Sequence, residues 1–303
     1  MKKAYFKGKI VPFEEAKISI MTHGFNYGTG VFEGIRGYYN KQKKQMFLLK
    51  LKEHYERLLR SAKIVRINIK PTVEKLCDIT LELVKQNDYK EDVYIRPLAY
   101  KSQEKIGLGL TGVDDDLCIY CAPFGKYLDT SKGIRVCLST WRRIDDSCIP
   151  ARAKLTGSYI NSSLAKSEAI ENGYDEAIML AMDGHVAEGS GENIFLLRNG
   201  RLETPGVSDN VLEGITRATV MHIARDDLKL HVAERAIDRT ELYIADEIFL
   251  CGTGAEIAPV LEVDKRKIGT GKVGEITKKI QQIYFAAVRG DIPKYRNWLT
   301  PVK

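Results

Sequence analysis

The chain has 303 residues, of which 44% are hydrophobic and 29% charged, and these proportions are ordinary for a soluble globular protein. This length predicts about two domains, with cores large enough to need no disulfide staples. The net charge of +7 does not indicate a nucleic-acid partner, because the lysines occur in small groups among acids and no RNA-binding signature or helix-turn-helix spacing is present.

Cysteine usage and hydropathy indicate a cytoplasmic protein. The six cysteines are scattered, and the single CxxC pair, Cys118 and Cys121, lies in a predicted buried strand. No second CxxC and no nearby histidine completes a zinc site, so we predict reduced thiols and no metal. No signal peptide opens the chain and no apolar run approaches membrane-spanning length, so we expect no membrane partner.

Residues 1–122 are predicted to form an N-terminal α/β domain of α+β character, in which helices cover one sheet. Alternation and glycine punctuation predict its strands at Ala4–Phe6, Lys9–Val11, Gly30–Tyr39, Gln45–Leu49, Val93–Tyr100 and Leu117–Ala122. Helical spacing of apolar residues predicts a helix over Lys50–Arg66, and Pro71 is expected to open a second helix that runs to about Gln86.

Residues 123–133 are short, polar and break the pattern, which predicts an interdomain linker that acts as a lid. Residues 134–303 are predicted to form a C-terminal domain that carries the key lysine. Its predicted strands are Ile134–Ser139, Glu176–Ala181, Asn193–Leu197, Arg201–Glu203, Lys229–Val232, Glu247–Cys251 and Glu256–Leu261. Its predicted helices are Ser158–Glu171, Gly214–Arg225 and Lys272–Val288.

The segment Ile149–Asn161 (IPARAKLTGSYIN) places Lys154 among small and neutral residues. Burial in such a setting disfavours the ammonium form and leaves an amine that can attack a carbonyl. That is the nucleophile a Schiff base needs. The alternative is a surface lysine before a helix, which is by far the commoner case for a lysine taken alone.

Four other segments carry groups that suit an anionic cofactor. Glu188 opens a glycine-rich turn (EGSGEN), where the backbone can approach a ligand closely. Leu212–Arg217 opens a helix whose first N–H groups suit a phosphate. Thr253 lies in a Gly-Thr-Gly turn after an apolar strand, and Arg57 can hold a phosphate with two hydrogen bonds. Each segment alone also fits an ordinary turn, helix start or surface cation, but together with Lys154 they fit pyridoxal phosphate.

Motifs along nearly the whole chain resemble those of class IV pyridoxal-phosphate aminotransferases, and specifically the branched-chain amino acid aminotransferases. They are His23–Arg36 (HGFNYGTGVFEGIR), His54–Lys63, Tyr94–Leu98 (YIRPL), Ile149–Asn161, Glu188–Phe195 (EGSGENIF), Leu212–Arg217 and Gly252–Val260 (GTGAEIAPV). The resemblance implies a fold type IV enzyme of two domains with pyridoxal 5'-phosphate at their interface. It also implies transfer of the amino group of leucine, isoleucine or valine to 2-oxoglutarate, by a homodimer or a trimer of dimers.

The resemblance also implies a role for individual residues. Lys154 is implied to form the Schiff base and to shuttle the proton, Glu188 to pair with the pyridine nitrogen, and Tyr159 to donate to the phenolic oxygen of the cofactor. The remaining implied cofactor residues are Arg57, Gly191, Leu212, Ile215, Thr216 and Thr253, of which Arg57, Ile215, Thr216 and Thr253 are expected to bind the phosphate. The implied substrate residues are Tyr27, Phe32, Gly34, Arg96, Leu108, Leu110, Tyr127, Thr253 and Gly254, with Leu108 and Leu110 supplied by a neighbouring subunit.

Alternatives within and outside this fold remain open at the level of sequence. A D-amino acid aminotransferase typically has Arg-x-His where this chain has Arg96-Pro97-Leu98, and aminodeoxychorismate lyases are usually shorter. A broad-specificity or amine aminotransferase of the same fold is a further alternative. A non-catalytic basic binding protein would need neither Lys154 nor Glu188, and would be colourless. Gly254, where alanine is frequent, and Phe124, where tryptophan is common, leave the size of the substrate pocket open.

Overall fold

The structure is a computed structural model that describes residues 2–125 and 127–303. Contacts group these residues into two compact units. The first unit comprises residues 2–125, 153–158 and 286–303, and the second comprises residues 127–152 and 159–285. The predicted domain and linker limits stay a prediction. They differ from the units chiefly in the Lys154 segment, which contacts assign to the first unit.

The first unit is built on an eight-stranded sheet of the described residues, with β3 paired to β6 beside the strand order β17-β5-β4-β6-β7-β1-β2. Its strands are β1 (Lys3–Phe6), β2 (Lys9–Pro12), β3 (Gly30–Phe32), β4 (Ile35–Asn40), β5 (Gln45–Leu49), β6 (Val93–Lys101), β7 (Asp115–Pro123) and β17 (Leu299–Pro301). Its helices are α1 (His23–Tyr27), α2 (Leu51–Ile64) and α3 (Val73–Asn87). All six strands and both helices predicted for residues 1–122 are confirmed, with Gly30–Tyr39 divided into β3 and β4.

Helix α2 shows why the apolar spacing was a reliable signal. Leu51, Tyr55, Leu58 and Ala62 recur at helical intervals and are at most 2% exposed, so one stripe of the helix is fully buried. The predicted start of α3 shifts by two residues. Thr72 is the N-cap, and its side chain accepts the N–H of Lys75 at 3.3 Å.

The second unit is built on a nine-stranded sheet of the described residues, in the order β10-β9-β8-β15-β14-β11-β12-β13, with β16 paired to β15. Its strands are β8 (Ile134–Leu138), β9 (Glu176–Leu180), β10 (Val186–Gly189), β11 (Asn193–Arg198), β12 (Arg201–Thr204), β13 (His231–Glu234), β14 (Glu247–Gly252), β15 (Glu256–Val263) and β16 (Arg266–Lys267). The remaining helices of the chain are α4 (Tyr159–Glu171), α5 (Ile215–Asp226) and α6 (Glu275–Val288). The predicted α/β class is confirmed, with parallel and antiparallel pairs mixed in this sheet.

Two elements that position candidate site residues were not predicted. Helix α1 has five residues and contains Gly24, so it offers no apolar periodicity. Strand β10 ends in the glycine-rich turn, and it is held by antiparallel pairing to β9 with a register shift between Val186 and Glu188. Such a bulge reorients side chains and does not show in the sequence pattern.

The described residues also bear on membrane and metal binding. No helix among them has the length and apolar character to cross a bilayer. In the same residues, no group of three or more histidine, cysteine or acidic side chains is arranged to hold a metal ion.

A buried ionic cluster joins α2 to the turn between β3 and β4. Glu33 is fully buried, and its two carboxylate oxygens accept Nε and Nη2 of Arg57 at 2.7 and 2.8 Å. Nδ1 of His54 lies 2.7 Å from Oε2 of Glu33. Burial opposes the ionisation of Glu33, but Arg57 and His54 outweigh it and lower the pKa of this carboxyl to about 2. Burial lowers the pKa of His54, against the opposing effect of Glu33.

We expect Glu33→Gln to reduce the free energy of unfolding at neutral pH by about 3–5 kcal/mol, because the buried Arg57 guanidinium loses its counter-charge. Since the pKa of Glu33 is lowered on folding from 4.5 to about 2, its contribution is present above pH 4.5 and is lost as the pH falls towards 2. The difference between wild type and variant should therefore shrink over that window. Urea unfolding at several pH values measures it.

Glu56→Gln on the same helix is the matched control, because Glu56 is partly exposed and lies 4.0 Å from Lys52. Its effect should stay within about 0.5 kcal/mol. Equal losses in the two variants would contradict the stabilising role of the Glu33 cluster.

Candidate active site

Lys154 lies in a segment that is tied to the first-unit sheet by its backbone. The Phe32 N–H donates to the carbonyl of Lys154 at 3.0 Å, and Leu155 forms an isolated β-bridge with Val31. The Lys154 N–H donates to Oγ of Ser61 at 3.2 Å. The side chain is half-buried, with Nζ 5.0 Å from the centre of the Phe32 ring. A fixed backbone therefore directs the amine along an aromatic surface.

A pair of glycines permits this close approach. Gly28 has φ +64°, and a Cβ placed on it would lie 2.8 Å from Cα of Gly157. The Gly157 N–H and the Thr156 hydroxyl both donate to the carbonyl of Gly28, at 3.1 and 2.8 Å. The glycines of the two motifs thus let the lysine segment lie directly on the Gly28 turn.

Phe32, Gly34 and Arg96 are brought together in the first unit, as the family resemblance implied. The Arg96 guanidinium lies 4.4 Å from the centre of the Phe32 ring, and its Nη2 donates to the Tyr94 hydroxyl at 3.1 Å. A Cβ placed on Gly34 would lie 2.0 Å from that hydroxyl, so only glycine leaves room for it. Tyr94 is a further member of this group that sequence reasoning did not single out, although it belongs to the quoted YIRPL motif.

Tyr27 is joined to the loop that carries Leu108 and Leu110. Its hydroxyl accepts the N–H of Gly107 at 3.2 Å, and Nε2 of the buried His23 lies 2.8 Å from the Gly107 carbonyl. Leu108 is 78% exposed and Leu110 is half-buried. The expectation that these leucines reach a neighbouring subunit stays a prediction.

In the second unit, Glu188 is a buried carboxylate held from three directions. Its Oε1 lies 2.9 Å from Nε of Arg143, and its Oε2 accepts the side-chain amide of Asn193 at 3.0 Å and the N–H of Leu212 at 3.1 Å. The nearby cation and the two donors favour the charged form. Sequence reasoning missed Arg143 and Asn193 as supporting residues. Asn193 ends the EGSGEN motif, whereas nothing in the sequence around Arg143 signals its partner.

Helix α5 begins with N–H groups that no side chain caps. Its N-cap is Gly214, with no side-chain hydrogen bond to the first turn, and Ile215 and Thr216 follow as the first helical residues. A Cβ placed on Gly214 would lie 1.9 Å from Oδ1 of Asn193, so glycine is required here. Such an end presents unsatisfied donors and a partial positive charge to an anion.

The two glycine turns of the second unit leave open space beside their backbones. A Cβ placed on Gly191 would meet nothing within 4 Å, and one placed on Gly254 would meet only Cδ1 of Tyr127, at 4.0 Å. Thr253 lies between β14 and β15 and is half-buried, like Tyr159 at the start of α4. These turns can therefore accept a ligand against their backbones.

The predicted site residues are divided between the units as follows. The first unit holds Lys154, Arg57, Tyr27, Phe32, Gly34, Arg96, Leu108 and Leu110, and the second holds Tyr159, Glu188, Gly191, Leu212, Ile215, Thr216, Thr253, Gly254 and Tyr127. Each unit by itself offers groups that pyridoxal phosphate requires: an amine in the first, and a paired carboxylate and an uncapped helix start in the second. The structure pairs Arg57 with Glu33, and phosphate binding by Arg57 stays a prediction.

Comparison with known proteins agrees with this donor set. The family model for amino-transferase class IV matches residues 30–263. A probable branched-chain-amino-acid aminotransferase of Aquifex aeolicus (strain VF5) is 54% identical over 299 residues, covering 99% of this chain and 96% of the relative.

Two solved structures extend the likeness to the fold. The crystal structure of the branched-chain aminotransferase of Thermoproteus uzoniensis with norvaline has a TM-score of 0.95 at 48% identity, covering 99% of both chains. A branched-chain amino acid aminotransferase from the organism abbreviated T.th., complexed with N-(5'-phosphopyridoxyl)-L-glutamate, has a TM-score of 0.94 at 39% identity, covering 99% of this chain and 98% of that one. The family model spans most of the chain and the relatives nearly all of it, so the chain belongs to the class IV aminotransferases.

Proposed function

We propose that this protein is a pyridoxal-phosphate-dependent branched-chain aminotransferase. It moves the amino group of L-leucine, L-isoleucine or L-valine to 2-oxoglutarate and releases the branched-chain 2-oxo acid and glutamate. The observation that carries the proposal is Lys154, whose backbone is fixed on β3 and whose amine lies against the Phe32 ring. The names of the relatives described above support the choice of substrate.

Pyridoxal phosphate, when bound, supplies an aldehyde that captures amines and a ring that draws electrons from the α-carbon. In this proposal Nζ of Lys154 takes up the proton of the substrate α-carbon and later returns it. The carboxylate of Glu188, kept charged by Arg143, accepts the pyridine N–H and so keeps that proton in place. Tyr159 donates its hydroxyl to the phenolic oxygen.

The phosphate is assigned to the N–H groups and hydroxyls of the second unit. Ile215 and Thr216 offer the first turn of α5, where the helix dipole favours an anion. Thr253 adds a hydroxyl from its turn. The same turn, with Gly254, offers backbone donors to the α-carboxylate of the substrate.

The substrate pocket must accept both an aliphatic chain and the γ-carboxylate of glutamate. The Phe32 ring suits the first. Arg96 suits the second, because it is half-buried beside the Tyr94 hydroxyl and its guanidinium can form two hydrogen bonds with a carboxylate. The relative complexed with a phosphopyridoxyl derivative of L-glutamate supports this double demand.

We also propose that the protein works in the cytoplasm as a homodimer or a trimer of dimers. Its six cysteines are free, which suits a reducing compartment. Leu108 and its neighbour Ile106 are 78% and 82% exposed, and burial of such side chains against a second copy would be favourable.

A panel of amino donors tests the function. Purified protein loaded with pyridoxal phosphate and supplied with 2-oxoglutarate should form glutamate from L-leucine, L-isoleucine and L-valine far faster than from their D-enantiomers or from simple amines. Lys154→Ala should reduce the rate by at least about a thousandfold, as removal of an essential catalytic group does. The variant should also lack the visible absorbance of the lysine-bound cofactor.

Lys63→Ala is the control for this variant, because Lys63 is exposed on α2. It should keep both the colour and the rate. Full activity of Lys154→Ala, or equal rates with D-amino acids, would refute the proposal.

Arg96→Ala tests the assignment of the γ-carboxylate. Removal of the guanidinium leaves a substrate carboxylate without a partner in a partly dry pocket, whereas a leucine side chain loses little. We expect kcat/KM to fall about 10- to 100-fold more for 2-oxoglutarate than for 4-methyl-2-oxopentanoate. Arg96→Lys, which keeps the charge but not the planar pair of donors, should fall in between. Equal losses for both substrates would mean that Arg96 only supports Phe32 and Tyr94.

A further inference from the structure

A second buried acid, Glu192, lies beneath the turn that carries Glu188. It is 5% exposed, and its Oε2 accepts the N–H of Gly191 at 3.0 Å. A Cβ placed on Gly189 would lie 2.8 Å from the same oxygen, and the Gly189 N–H donates to the backbone carbonyl of Glu192 at 2.6 Å. The carboxyl is therefore enclosed by its own turn, four residues after the acid assigned to the pyridine nitrogen.

The charges around this carboxyl do not balance if it is ionised. Glu176 is fully buried and pairs with Nζ of Lys166 at 2.7 Å, and Glu188 pairs with Arg143. Within residues 2–125 and 127–303, no cation forms an ion pair with Glu192. Two cations thus face three acids, and a buried charge without a partner is costly.

The titratable and charged groups that face Glu192 come from every element packed around it. They are Glu176 on β9, Lys166 on α4, Glu188 on β10, Cys251 on β14 and Tyr127. The Lys166 ammonium also lies 5.6 Å from the centre of the Tyr127 ring, which the family resemblance places in the substrate pocket. A change of charge on Glu192 would therefore be felt at a substrate residue and at a cofactor residue.

We propose that Glu192 is a positioning residue that carries a proton in the working enzyme, and that its neutral carboxyl keeps the turn from Glu188 to Asn193 compatible with an anionic substrate. This inference rests on the proposed function. Burial, with the nearby Glu176 charge, raises the pKa of Glu192 to about 8, against the opposing effects of the Gly191 N–H and Lys166. Burial and these acids also raise the pKa of Tyr127 to about 12, so its hydroxyl keeps its proton.

The consequence is a pH dependence of substrate binding. Amino acids and 2-oxo acids both carry carboxylates, and loss of the Glu192 proton adds a negative charge near the residues that receive them. In wild type we expect KM for 2-oxo acids to rise roughly three- to tenfold as the pH passes through 8, as for like charges at short range in a partly screened medium. Glu192→Gln keeps the shape of the neutral acid, so its KM should stay flat over the same range.

Glu203→Gln is the matched control. Glu203 is also buried in the second-unit sheet, at 8% exposed, but it is paired with Arg235. Its KM profile should follow that of wild type. Parallel profiles in wild type and Glu192→Gln would overturn the positioning role.

Thermal melts of the holoenzyme test the proton on Glu192 without relying on turnover. Because the pKa of this acid is raised on folding from 4.5 to about 8, the folded state loses stability as the pH rises through that interval, and the loss is constant above it. Glu192→Gln removes the loss, so its Tm should exceed that of wild type by a few degrees at about pH 9 and should match it near pH 4.5.

The outcomes separate this inference from the proposed function. Identical melting temperatures at every pH would overturn the inference. Absence of transamination in wild type would remove the proposed function and the positioning role together, whereas the melts would still show whether Glu192 holds its proton. A Tm difference combined with a flat wild-type KM would reduce Glu192 to a structural acid.

Discussion

The hydrogen bonds between the Lys154 segment and β3 are the constraint on which the first unit's part of the chemistry depends. Residues 153–158 are far in sequence from strand β3, yet the Phe32 N–H, the Val31–Leu155 bridge and the Gly28 carbonyl hold them as though they were an additional short strand. A lysine side chain has four rotatable bonds and loses much freedom when it is ordered. Fixing its backbone and placing it along an aromatic ring reduces the number of conformations that remain to be restricted.

Three buried glutamates in this chain have different protonation tendencies because they have different neighbours. Glu33 is held charged by Arg57 and His54, and it serves the packing of α2. Glu188 is paired with Arg143 and faces a predicted ligand. Glu192 is enclosed by its own backbone with another acid nearby, which favours the protonated form. Burial alone opposes ionisation in all three, so the nearest partner decides the outcome.

Much of the fold could be predicted from the sequence because helices such as α2 and strands such as β5 bury regular apolar patterns. The elements that were missed, α1 and β10, depend on glycine and on pairing with distant strands, which local patterns do not report. Motif resemblance located Lys154, Glu188 and Arg96. The partners that define their chemistry, Arg143 and Asn193 for Glu188 and Tyr94 for Arg96, could be recognised only in three dimensions.

The first unit also has a consequence for biosynthesis. Its sheet ends in β17, which pairs with β5 across some 250 residues of chain, and Arg289 forms two hydrogen bonds with Asp92. Proteins emerge from the ribosome from the N-terminus, and domains tend to fold as they appear. Strand β5 must therefore wait with an open edge until β17 has been made, whereas the nine-stranded sheet has all its strands by residue 267. An unpaired edge of this kind is open to pairing with other chains, so the nascent protein is most exposed to aggregation in its earliest-made part.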